Sequence, residues 1–381
     1  IGGGPAGMAA AYFLRRAGMA VTLFEKKSAL GGVVRHVIPE FRIPGTSIDK
    51  DAALLEKIGV EIRTNTEITS VEALKGEGYT NVVLAVGAYK PGNVRLEAGE
   101  AVNALKFLEE FKAKDGNLDL GKVVAVIGGG NTAMDTARAA KRTKGVEKVS
   151  LVYRRTKRYM PADEEELVMA VEDGVEFMEL LAPVKAENGK LICKVMELGE
   201  PDASGRRGVN ETEEIREIPA DTVIAAVGEK VPEEFYRANG LNVNERGRAF
   251  ANEDTCESSV AGVYVVGDGL GGPATVVEGI RDGLKAAEAI IGEKLVRDYD
   301  AKTEEAVIYE RKGNLSDIRT DADESKRCLN CAAICENCVE VCPNRANISI
   351  RVPGLAKHQV IHVDYMCNEC GNCKSFCPYS S

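Results

Sequence analysis

The chain has 381 residues, 44% of them hydrophobic, which suits two or three globular domains with a core of ordinary size. A formal net charge of −10 at pH 7 and a pI of about 5.2 argue against a general nucleic-acid binder and against a basic membrane-surface patch. No apolar run approaches the ~18 residues of a membrane span. No signal peptide is visible, but without an initiator Met the N-terminus gives no evidence of location. It is the densely spaced cysteines, suited to a reducing compartment, that go with an expected cytoplasmic location.

The chain opens on IGGGPAG, without an initiator Met and without a strand before the turn. The expectation is an internal fragment of a longer protein. Gly2-x-Gly4-x-x-Gly7 fits the dinucleotide fingerprint: a tight turn, a close approach for pyrophosphate, and close helix–strand packing. A helix is predicted over Gly7–Ala17, and its N-terminus would face the pyrophosphate. Val21–Glu25 (VTLFE) reads as the next strand and ends on Glu25, a carboxylate able to accept both hydroxyls of an adenosine ribose. VVLAVGA (Val82–Ala88) reads as a further strand.

The same device returns at IGGG, Ile127–Gly130, this time after the apolar strand Lys122–Ile127. Gly128-x-Gly130-x-x-Ala133 keeps the pattern with the permitted alanine in third place. A helix follows over Thr132–Thr143, then the strand VSLVY (Val149–Tyr153). Aligning VTLFEKK with VSLVYRR puts Tyr153 where Glu25 stands and Arg154-Arg155 where Lys26-Lys27 stand. The ribose-binding acid is gone and two guanidiniums follow, the chemistry of a 2′-phosphate site. The second turn therefore reads as an NADPH site, with Arg158 as a further candidate. A solvated basic loop is the bland alternative.

VIAAVGE (Val223–Glu229) repeats the look of VVLAVGA. In GVYVVGDGLGGPATVVEGI, Asp268 ends a strand and is placed to bind a ribitol chain. A helix predicted from about Ala274 to Ile291 would aim its positive end at a flavin pyrimidine. Two nucleotide sites of different type thus suggest a flavin at the first and a nicotinamide at the second. Residues 294–323 read as linker.

Nine of the eleven cysteines fall between Cys328 and Cys377, too dense and too local for a disulfide scaffold. Cys367-x2-Cys370-x2-Cys373-x3-Cys377-Pro378 is the bacterial ferredoxin run, whose last cysteine serves the other cluster. The first run is imperfect: Cys335-x2-Cys338-x3-Cys342-Pro343 lacks its first ligand, because Ala332 stands there. The expected grouping is Cys331, Cys335, Cys338 and Cys377 for one [4Fe–4S] cluster and Cys342, Cys367, Cys370 and Cys373 for the other, with Cys328 an alternative. Zinc is the competing reading. ISIRV…HQVIHVD between the runs predicts a β-hairpin. Cys193 and Cys256 are isolated, so a redox pair of the flavin disulfide-reductase type is absent before Cys328.

GGVVRHVIPEFRIP (Gly31–Pro44), VIGGGNTAMDTAR (Val126–Arg138), VYRRTKRYMPA (Val152–Ala162) and GVYVVGDGLGGPATVVEGI (Gly262–Ile280) together resemble the small subunit of NADPH-dependent glutamate synthase and its relatives, over about residues 1–293. The cysteine tail resembles that of the selenate reductase iron–sulfur subunit family. The resemblance implies an α/β fold of two Rossmann-like, three-layer domains: an FAD domain (1–112 and 221–293) into which an NADPH domain (113–220) is inserted. A linker (294–323) and a small α+β ferredoxin-like domain (324–381) would follow. It implies that Gly2, Gly4, Pro5, Ala6, Gly7, Glu25, Lys26, Gly32, Val33, Arg42, Gly87, Gly267, Asp268 and Thr275 line FAD. Gly128, Gly130, Asn131, Thr132, Ala133, Arg154, Arg155, Arg158, Val227 and Gly228 would line NADPH. The function expected is an oxidoreductase carrying electrons from NADPH through FAD and two [4Fe–4S] clusters to a redox partner subunit or to further domains of a longer chain. Electron donation to an amidotransferase subunit and a non-catalytic nucleotide-binding module are the alternatives. Hydride transfer to flavin requires no general base, and none is assigned.

Overall fold

The computed structural model describes residues 1–92, 94–201, 207–295, 336–353 and 359–377, and the chain divides into two compact units, 1–295 and 296–381. In the first unit VTLFE forms β1 (Thr22–Phe24), paired in parallel with β2 (Glu61–Arg63). VVLAVGA supplies β3 (Val82–Leu84), paired in parallel with β14 (Val263–Val265). Backbone hydrogen bonds from the first two residues join these pairs: Gly2 N–H donates to Phe24 O (2.8 Å), the Ile1 amine to Val83 O (2.7 Å), and Ala85 N–H to Ile1 O (2.8 Å). Ile1 thus sits in register between β1 and β3, where a βαβ fingerprint needs a strand.

The turn then opens helix Pro5–Arg16, whose first-turn proline forfeits no helical hydrogen bond. This helix packs along Val276–Ile291, which begins at a Thr275–Glu278 capping box. Small residues permit the approach: a Cβ on Gly283 would lie 2.6 Å from the Ala6 carbonyl oxygen. A separate core holds Phe24, Leu84, Val263 and Val265 against Tyr236.

The chain leaves this layer through β4 (Lys90–Pro91) and returns through β13 (Glu229–Lys230), which pair antiparallel. Between them lies a second, all-parallel sheet in the spatial order β5 (Val102–Asn103), β12 (Thr222–Ala225), β6 (Val123–Ile127), β7 (Lys148–Tyr153), β8 (Val175–Glu179). A period of two sorts the β6 side chains. Val124 and Val126 meet Phe107, Leu108, Met134 and Ala137 of helices Ala104–Ala113 and Asn131–Arg142. Ala125 and Ile127 meet Leu181, Leu191, Cys193 and Ile218 of an antiparallel meander, β9 (Leu181–Glu187), β10 (Lys190–Pro201) and β11 (Arg207–Pro219).

The meander has no counterpart in the sequence reading. Its other side carries charged rungs such as Lys190–Glu217 (2.6 Å), which mask the strand pattern. The second sheet also takes in β5 and β12, so its unit extends past the expected 113–220 at both ends. VIAAVGE pairs with β6, with Ile224 opposite Val126. Elsewhere the predicted helices and strands stand where expected, within a few residues.

In the second unit the described residues form helix Asn337–Glu340, an antiparallel hairpin of β15 (Asn347–Ile350) and β16 (Gln359–His362), a turn at Asp364–Met366 and helix Asn372–Ser375. The hairpin is the predicted one. The two short helices contact each other. Asn337 Nδ2 reaches Phe376 O (3.5 Å) and Asn372 Nδ2 reaches Val341 O (3.4 Å). Each asparagine and each acceptor immediately precedes a cysteine, so the two cysteine runs exchange the same contact in both directions. Among the described residues no helix is long and apolar enough to cross a membrane. Cys328, Cys331, Cys335, Pro378 and nearly all of the expected linker lie outside the described residues.

Candidate functional site

The first glycine turn closes tightly on itself. A Cβ on Gly7 would lie 2.0 Å from Gly2 O, so only glycine lets the helix begin this close to the chain before it. Gly31 N–H donates to Gly3 O (2.7 Å), and a Cβ on Gly32 would lie 2.9 Å from Gly4 Cα. Glu25, 6% exposed, accepts from Gly3 N–H (2.7 Å) and from Lys27 N–H (2.8 Å). Each of its oxygens keeps acceptor capacity for a diol.

Gly267 lies behind the turn, with its N–H donating to Asp282 (3.3 Å). Asp268 is half-buried. Burial pushes its carboxyl up to about 6, partly opposed by the Ala274 N–H that it accepts at 3.1 Å. Gly87 N lies beside Gly269. Glu25, Gly87, Gly267 and Asp268 all follow the carboxyl ends of parallel strands, where open α/β sheets bind ligands.

Other residues assigned to FAD by resemblance have different partners. The Lys26 ammonium lies over the Tyr89 ring (5.9 Å). Val33 packs on the core beneath the second sheet. The Thr275 hydroxyl caps its helix, accepting from Glu278 N–H (3.3 Å) and donating to the Glu278 carboxylate (2.9 Å). Arg42 is the clearest departure. Its guanidinium donates to Asp135 (2.8 Å) and to Glu166, carboxylates only 5% and 7% exposed. Two buried acids on helices Asn131–Arg142 and Glu164–Glu172 require a cation, and Arg42 supplies it from the other layer.

The second turn opens onto a cavity of about 620 Å³ lined by Gly128, Gly130, Thr132, Tyr153, Arg154, Arg155, Val227 and Gly228. The Tyr153 ring fills the place of the missing acid: a Cβ on Gly129 would lie 2.4 Å from it, and its hydroxyl donates to Tyr159 O (2.8 Å). Arg155 Nε is buried without a hydrogen-bond partner.

Asn131 and Ala133 support the turn rather than line the cavity. Asn131 exchanges hydrogen bonds with Asp163 (3.0 Å each), and Ala133 is fully buried. Arg158 lies outside the cavity lining, 6.0 Å from the Tyr159 ring centre. Two charged lining residues escape the sequence reading. Glu229, whose carboxyl is raised by burial, accepts from the Thr132 hydroxyl (3.0 Å). Its position at the end of VIAAVGE was the available signal. Arg95 arrives from the β4–β5 connection and belongs to no motif.

In the second unit Cys342, Cys367, Cys370 and Cys373 line one cavity of about 170 Å³ together with Asn347 and His362. Backbone N–H groups, Asn347 foremost, hold the Cys342 thiol below its usual range, and Ala346 N–H reaches its sulfur at 3.1 Å. Glu369 N–H points at Cys367 Sγ (3.4 Å). Among the described residues no three His, Cys, Asp or Glu side chains converge on a single metal ion. Four thiols thus line one cavity, with backbone amides directed at the sulfurs of Cys342 and Cys367. Of the other expected grouping, Cys338 and Cys377 are not among the residues lining this cavity, and Cys331 and Cys335 lie outside the described residues. Cys193 and Cys256 sit in separate cores, their thiols pushed up by burial to about 12 and about 11.

A sequence profile described as pyridine nucleotide-disulphide oxidoreductase matches residues 1–283. The chain belongs to the pyridine nucleotide-disulphide oxidoreductase family. Among its relatives, the Escherichia coli (strain K12) protein named "Putative oxidoreductase YgfK" is 42% identical over 400 residues, covering 100% of this chain and 38% of its own length. The chain thus spans about two fifths of that relative. The NADPH-type glutamate synthase small chain of Escherichia coli (strain K12) is 33% identical over 325 residues, covering 76% of this chain and 67% of that one. The fold is shared with FprA from Mycobacterium tuberculosis (TM-score 0.63, 19% identity, 81% and 89% of the two chains). This member of the pyridine nucleotide-disulphide oxidoreductase family has only Cys193 and Cys256 in the matched segment, and they are too separate and too inert to form a disulfide couple.

Proposed function

We propose that the chain is an NADPH-dependent electron-transfer module that binds FAD at the first glycine turn, NADPH at the second, and two [4Fe–4S] clusters in the ferredoxin-like second unit. FAD supplies the exchange between two-electron hydride chemistry and the one-electron chemistry of the clusters. Glu25 holds the adenosine diol of FAD, and Asp268 its ribitol. Arg154 and Arg155 bind the 2′-phosphate of NADPH, and Thr132 with Glu229 closes the inner end of its cavity. Cys342, Cys367, Cys370 and Cys373 ligate one cluster; Cys331, Cys335, Cys338 and Cys377 ligate the other. The electrons pass to a partner subunit or to another part of a longer chain.

The observation that carries this reading is the 620 Å³ cavity at the second turn, where arginines with no carboxylate partner among the described residues stand at the end of β7. Kinship with NADPH-type glutamate synthase small chains supports it. The test is anaerobic titration of the flavin-loaded protein with NADPH and, separately, NADH, following flavin bleaching near ~450 nm, with electron paramagnetic resonance of the reduced sample. Preferred bleaching by NADPH, then cluster signals, is the expected result. Equal or better reduction by NADH would refute the arginine assignment, and no bleaching by either would refute nucleotide-driven input.

A further inference from the structure

Arg95 stands outside both glycine motifs, yet it lines the same cavity as Arg154 and Arg155. Backbone hydrogen bonds hold the chain on either side of it. Gly92 N–H donates to Gly228 O (2.7 Å) on one side, and Glu97 N–H donates to Val184 O (2.8 Å) on the other. Between these bonds Val94 and Arg95 wall the cavity together with Ala182 and Pro183. Leu180, just before β9, donates its N–H to Arg155 O (3.2 Å). The segment carrying Arg95 is thus held to Gly228 on one side and on the other to β9, whose preceding residue is bonded to Arg155.

Three arginines thus line one cavity, and among the described residues none has a carboxylate partner. Like charges so arranged repel one another until an anion joins them. The buried Arg155 Nε, without an acceptor, carries an uncompensated desolvation cost for the same reason. Other cations nearby in the fold are neutralised: Lys27 is held by Glu109, and Arg42 by Asp135 and Glu166. A phosphate monoester brings close to two negative charges and three acceptor oxygens, enough for several arginines, whereas a ribose diol brings no charge.

We propose that Arg95 is a third specificity-determining cation, binding the adenosine 2′-phosphate from another wall of the cavity that Arg154 and Arg155 line. The inference rests on the NADPH reading above. Direct binding separates the two. Calorimetric titration of the FAD-loaded full chain with 2′,5′-ADP and with 5′-AMP isolates the 2′-phosphate without turnover. The native chain prefers 2′,5′-ADP. Arg95→Ala weakens 2′,5′-ADP by about tenfold or more and leaves 5′-AMP within about twofold. Arg95→Lys recovers part of the loss, because a point charge replaces the fork. Arg95 is exposed and outside the core, so both variants fold. A native chain with no preference for 2′,5′-ADP overturns the NADPH reading and this inference together. Preference retained in Arg95→Ala overturns only the role of Arg95. Equal weakening of both ligands places Arg95 on the adenine or the 5′-phosphate and likewise overturns it.

Discussion

The two glycine turns of this chain share a backbone and differ in what stands beneath it. Under the first, Gly3 N–H donates to the Glu25 carboxylate (2.7 Å); under the second, Gly129 lies against the Tyr153 ring. The basic pairs that follow differ in the same sense. Lys27 is spent on Glu109 and on the Tyr89 hydroxyl (3.0 Å), and Lys26 lies over the Tyr89 ring. Arg154 and Arg155 have no carboxylate partner among the described residues. On the proposed function, nucleotide choice in this chain resides in the charge left uncommitted after the local structure has taken its share, more than in the glycines.

The largest expected effect comes from abolishing one turn and leaving its twin intact. Gly7→Val puts a branched side chain where even a Cβ would stand 2.0 Å from Gly2 O. Bound flavin, measured by absorbance, should fall to background while 2′,5′-ADP binding persists. Gly128→Val, at φ +151° with a Cβ 2.4 Å from Ala226 O, should do the reverse. Loss of both ligands in either variant would mean that the turns do not act independently.

Arg42→Leu tests the tie between the two layers. It leaves Asp135 and Glu166 buried without their chief cation, and Arg138 stands 4.0 Å from Glu166. Removing one partner from such a group costs about 3–5 kcal/mol. Denaturant melting of the flavin-free protein should show that loss. A loss under about 1 kcal/mol would return Arg42 to the class of surface charges.

Exchanging the residues that distinguish the turns is a milder test. Tyr153→Glu restores an acid beside Gly129, within reach of its N–H as Glu25 is of Gly3. The ratio of NADPH to NADH KM values should shift toward NADH by about tenfold or more, through repulsion of the 2′-phosphate and acceptance of the free diol. An unchanged ratio would show that the arginines alone set the choice.

Asp268 gives the smallest effect and a pH signature. Burial raises its carboxyl from 3.8 to about 6, in the company of Glu229, Glu278 and Asp282. A raised carboxyl binds its proton more tightly in the folded state. Its stabilising contribution is present below pH 3.8 and is lost as pH rises through about 6. Asp268→Asn should therefore leave the flavin-free protein unchanged near pH 4 and stabilise it near pH 7 by about 1–2 kcal/mol, while weakening flavin retention. A gain of equal size at both pH values would assign the effect to packing instead.

Much of the fold was legible because its signals are local. The helix after each turn, the strands ending at Glu25 and Tyr153, and the hairpin between the cysteine runs follow from glycine spacing and apolar alternation within short windows. The meander was not legible, because solvated charges such as Lys190 and Glu217 interrupt its pattern and only the sheet beneath supplies its partner face. The ion pairs of Arg42 were not legible for a related reason. Its motif has a familiar form, but its partners Asp135 and Glu166 lie far along the chain.

The sequence by itself determined that there are two nucleotide turns, that their following residues differ in charge, and that the cysteines form two ferredoxin-like runs. Each of these is a matter of residue type at fixed short spacing, which the chain carries whatever its fold. Only the tertiary structure decided which charges stay free. It neutralised Lys27 and Arg42 with distant carboxylates, placed Arg95 on the wall of the cavity that Arg154 and Arg155 also line, and gathered Cys342 with Cys367, Cys370 and Cys373 around one cavity. Coulomb interactions and hydrogen bonds act through space, so their partners are known only when the chain has folded.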